Sequence, residues 1–214
     1  MPRDYVVGMA RAAMVFFAAV IAIHALRYYG ALGNIWFDID PKLKAVIRHA
    51  PVQALTHMLI APIALFVGPF QFYPRLRARA PRIHRWLGRI YVAACLIAGM
   101  GALATAPNAS GGPVAGLGFG ILAVCWIITT FAAWQAAVQR DFDRHRLLMR
   151  YSYAMTFAAV TLRLQIPIGL ALGGASYSAI SPYLSYTSWI PNVTLVALYS
   201  AFERRRRPRA VPAE

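Results

Sequence analysis

Residues 114–138 read VAGLGFGILAVCWIITTFAAWQAAV, and no charged side chain interrupts them. A helix needs about 20 consecutive apolar residues to cross the hydrocarbon core of a bilayer, and this stretch is long enough to do so. A helix that is apolar all round belongs either in lipid or in the core of a large protein. The stretch therefore predicts a transmembrane helix.

Similar apolar blocks recur along the whole chain of 214 residues, of which 59% are hydrophobic and 14% are charged. Globular proteins have about 45–50% apolar and about 25% charged residues. We predict an all-α, polytopic bundle of about six transmembrane helices that forms one membrane-embedded domain over residues 1–214. The predicted spans are 6–29, 51–72, 87–105, 114–138, 147–172 and 183–202, and Pro191 interrupts the last of them.

The first predicted span begins close to the amino terminus and continues to Arg27, Tyr28 and Tyr29. A cleaved signal peptide has a shorter apolar region, about 7–15 residues, before a small-residue cleavage site. We therefore expect a retained first helix, and a cleaved signal is the other interpretation.

The positive residues predict the orientation of the bundle. The chain has 22 Lys and Arg residues against 7 Asp and Glu residues, a net charge of +15. Loops rich in Lys and Arg stay in the cytoplasm, so we expect both termini there, in a cell inner membrane. Residues 30–50 then form an outer interfacial segment, and residues 203–214 a basic cytoplasmic tail. The residues on the basic side are Arg3, Arg11, Arg75, Arg77, Arg79, Arg82, Arg85, Arg89, Arg140, Arg144, Arg146, Arg150, Arg204, Arg205, Arg206, Arg207 and Arg209.

The expected partners of the basic side are the lipid bilayer and its anionic lipids, because the basic tail directly follows a predicted helix. We do not expect nucleic acid to bind there. No nucleotide-binding glycine motif or paired zinc-ligand spacing is present in the sequence. Cys95 and Cys125 both fall in apolar blocks and give no information on redox compartment.

A first group of polar residues is predicted in the outer part of the bundle. His57 lies about 10 Å and His24 about 8 Å below the outer surface at the helical rise. Arg163 falls at a similar depth, with Gln165 beside it. An arginine inside a bilayer costs about 2.5–3.5 kcal/mol on insertion scales and usually faces the bundle interior. No Asp or Glu lies inside a predicted span to pair with it, which suggests a bound anionic partner.

A second group is predicted at the cytoplasmic face. Residues 84–89 and 145–150 both read H-R-x-L-x-R, and each precedes a helix that runs from inside to outside. The match suggests an internal repeat of two hairpins, a pattern that often encloses the functional site of a membrane protein. In the other interpretation, these residues hold the orientation and contact anionic lipid.

Two histidine layers, His24 with His57 and His84 with His145, suggest a transmembrane protein with b-type haem. His57 and His24 are the candidate iron ligands, with Arg163 for the outer haem and Arg89 or Arg150 for the inner one. His49 is a spare candidate. We therefore favour redox work with haem b or a quinone, without assigning an enzymatic activity. The alternatives are a small-molecule transporter, with helix breaks at Gly68-Pro69 and Pro167, and a structural or assembly subunit of a membrane complex.

Several motifs together resemble a known group. They are His57, the segment G-P-F-Q-F at 68–72, H-R-W-L-G-R-I-Y at 84–91 and H-R-L-L-M-R at 145–150. In this order they resemble the bacterial predicted membrane proteins of domain-of-unknown-function family 2306, from the second to the fifth predicted span. The resemblance implies a multi-helix membrane fold and no established activity. The layered histidines are also similar, as an analogy only, to the cytochrome b561 type of bundle.

Overall fold

The computed structural model describes residues 3–33, 41–173 and 176–206, and nearly all of these are helical. The predicted all-α bundle is confirmed. Three short 3-10 segments, Ala25–Gly33, Gly68–Phe72 and Ala106–Asn108, extend or join α-helices. The α-helices are α1 (Arg3–His24), α2 (Pro41–His49), α3 (Pro51–Val67), α4 (Pro74–Arg79), α5 (Pro81–Thr105), α6 (Gly112–Val138), α7 (Phe142–Thr156), α8 (Ala158–Ala171), α9 (Tyr177–Thr187) and α10 (Ile190–Arg206).

Five segments in the described part of the chain are long and apolar enough to cross a membrane. The third and fifth begin earlier than the sequence predicts, at Pro81 and Phe142. Local sequence explains both earlier starts. Pro81 stands in the first turn of α5, where the backbone N–H that proline lacks would have no helical partner. The Asp141 side chain caps α7 by accepting a hydrogen bond from the Arg144 amide. The candidate spans are Val7–Gly30, Pro51–Phe72, Pro81–Asn108, Gly112–Val138 and Phe142–Ala171.

The sixth predicted span is divided into α9 and α10, neither of which reaches the length of the five spans. The division falls at Ser188 and Trp189, so Pro191 stands in the first turn of α10 instead of breaking a helix. α9 packs along the first part of α6, where the Tyr186 hydroxyl donates to the Val114 carbonyl at 3.3 Å. α10 runs on beside α7, where the Asn192 side-chain amide donates to the Ala154 carbonyl oxygen at 3.2 Å.

Both described ends of the chain lie at one end of the bundle, near Arg150 on α7. An Arg150 guanidinium nitrogen lies 2.6 Å from a carboxylate oxygen of Glu203, near the end of α10. Ala10, near the start of α1, lines the same groove as Arg150. This end of the bundle also holds the basic segments described above.

Small residues allow close backbone approach within the chain. A β-carbon at Gly101 of α5 would lie 2.7 Å from the Gln53 carbonyl oxygen and 2.8 Å from the His57 amide nitrogen of α3. In α6, a β-carbon at Gly116 would lie 2.7 Å from the Ala106 carbonyl oxygen. Such small-residue contacts are a common basis of helix packing in lipid.

Two predicted spans are interrupted. α3 ends at Val67 and continues as the 3-10 segment Gly68–Phe72, where the sequence predicts a break. The fifth span divides at Phe157, between α7 and α8, whereas α8 continues through Pro167 to Ala171. The expected break at Pro167 is therefore wrong.

Candidate functional site

The outer part of the bundle holds a basic polar cluster that includes His57. The half-buried His57 ring lies where α3 and α5 are in contact, with its Nδ1 3.1 Å from the Ala98 carbonyl oxygen. Gly101, one turn further along α5, has no side chain to keep the two helices apart. Because a carbonyl oxygen can only accept, Nδ1 carries the proton, and Nε2 is left with its lone pair.

Arg163 enters the same region from α8. Its guanidinium donates to the Ala159 carbonyl oxygen at 2.9 Å, and the Tyr28 side chain lies close enough to interact with it electrostatically. It lies close enough to His57 for its charge to act on the imidazole. Thus α3 and α8 bring His57 and Arg163 together at one depth.

Arg27 adds a second guanidinium to this cluster. It donates to the Tyr28 hydroxyl at 3.3 Å, while its Nε is buried without a hydrogen-bond partner. Tyr28 is only 6% exposed and lies between the two arginines. We call Arg27, Tyr28, His57 and Arg163 the outer cluster.

No carboxylate in the described ranges contacts Arg27 or Arg163. The ion pairs seen there lie elsewhere, at Arg146 with Asp143 and at Arg150 with Glu203. Within the described ranges, the contacts of Arg27 and Arg163 are with carbonyl and hydroxyl oxygens. Such a cluster is arranged to receive an anionic or carbonyl oxygen from a ligand.

The sequence also predicts His24 and Gln165 for this site. The His24 side chain is exposed, whereas Ala22 and Tyr28 on either side of it along the chain are buried. Gln165 exchanges hydrogen bonds with Thr187 of α9, at 3.1 Å in each direction. His24 is therefore more exposed than His57, and its part in the site stays a prediction.

The second predicted pair, His84 and His145, lies at the opposite end of the bundle. The sequence leaves open whether these histidines are in loops, and each is in fact the fourth residue after a helix N-cap. His145 lies close enough to His84 for its charge to act on that ring. The His145 Nδ1 lies 2.8 Å from the Ala133 carbonyl oxygen, whereas the His84 Nδ1 is buried without a partner.

Between these two levels lies a buried hydroxyl cluster that the sequence did not predict. The Tyr91 hydroxyl is 2.8 Å from that of Ser152 and 2.9 Å from that of Thr156. Thr130 bonds Ser152 at 2.7 Å, and the Trp126 indole N–H donates to Thr156 at 2.9 Å. The one sequence signal is the one-turn spacing of Ser152 and Thr156, since their partners are on other helices.

A groove of about 430 Å³ opens between α1, α7 and α10. Its polar lining residues are Arg150 and Asn192, and both have partners within the chain. The groove therefore offers hydrocarbon contact and little polar recognition. Its apolar lining is Ala10, Ala13, Met14, Phe17, Phe72, Tyr153, Ala154, Phe157, Leu195 and Val196.

In the described part of the chain, no three or more His, Cys, Asp or Glu side chains are grouped to hold a metal ion. Cys95 and Cys125 are free thiols, and Cys95 is fully buried beside the hydroxyl cluster.

Comparison with known proteins gives one match. The sequence profile of a family described as predicted membrane protein (DUF2306) matches residues 54–200. This range contains His57, His84, His145 and Arg163, so the resemblance drawn from the motifs is confirmed. Neither the curated proteins nor the solved structures searched gave a match.

Proposed function

The chain belongs to the DUF2306 family of predicted membrane proteins, and from this premise we propose that it binds a quinone-type ligand in the outer cluster and takes part in electron transfer. The observation that carries the proposal is the pair of guanidinium groups on Tyr28, beside His57, with no carboxylate among their described contacts. Charged groups placed inside a bilayer usually mark a ligand or ion site, because their insertion is costly.

The chemistry of the outer cluster suits a quinone and its reduced form. Arg163 donates hydrogen bonds to a carbonyl oxygen and stabilises the negative charge that grows on that oxygen on reduction. His57, with Nδ1 turned to the Ala98 carbonyl, offers Nε2 as acceptor for a quinol hydroxyl. One residue thus holds the oxygen while the other takes its proton.

A haem at this level is less well supported. Two axial histidines are needed for the proposed b-type ligation, and the His24 side chain is exposed whereas His57 is half-buried. The two arginines of the outer cluster are hydrogen-bond donors, which suit an oxygen ligand better than iron.

The test uses purified full-length protein in lipid nanodiscs, titrated with decylubiquinone and, in a second arm, with oleate. Wild-type protein should bind the quinone, and Arg163→Gln should bind it at least about tenfold more weakly, or about 1.4 kcal/mol. Arg163→Lys should fall in between, since it keeps the charge and loses the planar fork.

Arg82→Gln is the matched control, because Arg82 is an exposed arginine at the start of α5. It should bind like wild type. Equal affinities for the Arg163 and Arg82 variants, or no quinone binding by wild type, would overturn the proposal. Binding of oleate alone would replace the quinone with an anionic ligand.

A small-molecule carrier is the second candidate. Interrupted helices favour it, since α3 gives way to a 3-10 segment at Gly68 and the fifth span divides at Phe157. Carriers commonly use such broken helices at their substrate sites. Uptake by proteoliposomes that is lost in Arg163→Ala, without any quinone binding, would favour the carrier.

We further propose a location in the cell inner membrane with both termini in the cytoplasm. The basic end of the bundle, which includes Arg150 and the end of α10, then contacts anionic lipid headgroups. The positions of α1 and α10 support this orientation, because both have their terminal ends beside Arg150.

A further inference from the structure

The two H-R-x-L-x-R motifs occupy equivalent places on two helices. The N-cap of α5 is Ala80 and that of α7 is Asp141. The His84 amide donates to the Ala80 carbonyl at 3.0 Å, and the His145 amide to the Asp141 carbonyl at 2.9 Å. The two motifs therefore share their position along the helix as well as their letters.

Residues at equivalent positions also meet each other. Tyr91 and Ser152, which are hydrogen-bonded at 2.8 Å, are 61 positions apart. The same separation relates His84 to His145 and Cys95 to Thr156, and in each of these pairs the two side chains lie close enough to interact electrostatically. The Tyr91–Ser152 contact and the matching helix positions of the two motifs indicate an approximate twofold axis parallel to α5 and α7.

The helices around the axis follow the same relationship. α3 packs against α5, and α6 packs against α7, so the bundle contains two related helix pairs. The symmetry fails at one point. Ala133, which accepts from His145, corresponds to Phe72, the last residue of the 3-10 segment, and His84 has no such bond. Parallel repeats of this kind often enclose a site between the halves.

We propose that His84 and His145 are the two axial ligands of one b-type haem placed on this axis at the basic end of the bundle. The site is separate from the outer cluster, so the inference goes beyond the proposed quinone site. Two protein ligands suffice for a haem iron because the porphyrin supplies the other four nitrogens. A haem site therefore does not need the group of three or more metal-binding side chains that is absent from the described residues.

The histidine geometry supports the proposal. Since the Ala133 carbonyl holds the Nδ1 proton of His145, the Nε2 lone pair of that ring is available to a metal. A hydrogen bond from Nδ1 to a backbone carbonyl is a frequent way to orient a metal-binding imidazole. Haem bound here would supply one-electron transfer at the level of the two histidines.

The positive charges around His84 favour one kind of metal centre over another. Arg77 and Arg85 lie close enough to His84 for their charges to act on it. Positive neighbours disfavour a bare divalent cation and favour an anionic chelate, whose propionates they can neutralise. Two turns below His84, about 10 Å along the helix, the Tyr91–Ser152 contact fills the space between α5 and α7. A haem bound by the two histidines is therefore confined to the basic end of the bundle.

The test is the absorption spectrum of full-length protein purified in mild detergent from cells supplied with 5-aminolevulinate. We expect a Soret band, sharp α and β bands on reduction, and about one haem per chain by pyridine haemochromogen assay. His84→Ala and His145→Ala should each lose the low-spin spectrum. His84→Met should retain haem with an altered spectrum, because Met is also an axial ligand.

His49→Ala is the matched control, since His49 is exposed and lies on α2. It should keep the wild-type spectrum. Haem-free wild-type protein, a spectrum unchanged in the His84→Ala, His145→Ala double variant, or stoichiometric zinc or copper without haem would overturn the inference. Failure of quinone binding would leave this spectral result unaffected, so the two proposals fail separately.

Discussion

The hydroxyl oxygen of Tyr91 lies 2.8 Å from that of Ser152, and the two residues are 61 positions apart in the chain. That separation is also the distance between the two H-R-x-L-x-R motifs. The contact therefore joins corresponding points of two related helix pairs. It lies in the hydroxyl cluster between the outer cluster and the His84–His145 pair, and it holds α5 and α7 at a defined spacing.

Replacement of Tyr91 by Phe should destabilise the protein by about 1 kcal/mol, the usual value for a hydrogen bond between membrane helices. The cost stays moderate because Ser152 keeps Thr130 as a partner, and Thr156 keeps Trp126. Unfolding in a detergent–SDS mixture measures the change. Tyr183→Phe is the control, since Tyr183 is 73% exposed, and an equal effect in both variants would contradict the role of the cluster.

Gly101→Ala should destabilise the α3–α5 contact by about 1–3 kcal/mol, the usual cost of overpacking. The new β-carbon would meet the Gln53 carbonyl oxygen at 2.7 Å and the His57 amide nitrogen at 2.8 Å, and neither backbone atom can rotate away. Thermal unfolding measures the loss. Gly8→Ala, where a β-carbon meets nothing within 4 Å, should be neutral or slightly stabilising.

The Arg150–Glu203 ion pair should give a coupling energy of about 0.5–1 kcal/mol in a double-mutant cycle. Its side chains are 29% and 38% exposed, so solvent screens them only in part. The exchange Arg150→Glu with Glu203→Arg should recover most of the stability lost by either single change. Arg146 with Asp143, 46% and 69% exposed, is the control pair, and coupling no larger than in that pair would argue against the packing of α10 on α7.

Reporter fusions should show activities that agree with a cytoplasmic location of both chain ends. Alkaline phosphatase fused after Ser110 should be active, and fusions after Arg140 or at the carboxyl terminus should be inactive, because the arginine-rich segments are retained inside. A green fluorescent protein at the carboxyl terminus should fluoresce. An active phosphatase at the carboxyl terminus would contradict the sixth crossing formed by α9 and α10.

The sequence predicts some site residues better than others, for identifiable reasons. Arg163 is recognisable because a charged residue inside an apolar block is costly wherever it packs. Arg27 and Tyr28 are recognised in the sequence only as the end of the first predicted span, since their place beside Arg163 depends on how the first span lies against α8. His24 stays a prediction, because its depth is readable from the chain, whereas the face it occupies depends on helix rotation.

The helical type of the fold and five of the six predicted spans follow from the sequence alone, because a lipid environment requires long apolar segments with every backbone group bonded internally. Residues 114–138 by themselves establish that class of protein. The tertiary structure alone decided which polar side chains lie near one another: His57 and Arg163 interact electrostatically, as do His84 and His145, and Tyr91 is hydrogen-bonded to Ser152. These pairings depend on how each helix is rotated and how closely it packs, and small residues such as Gly101 set both through contacts with distant parts of the chain.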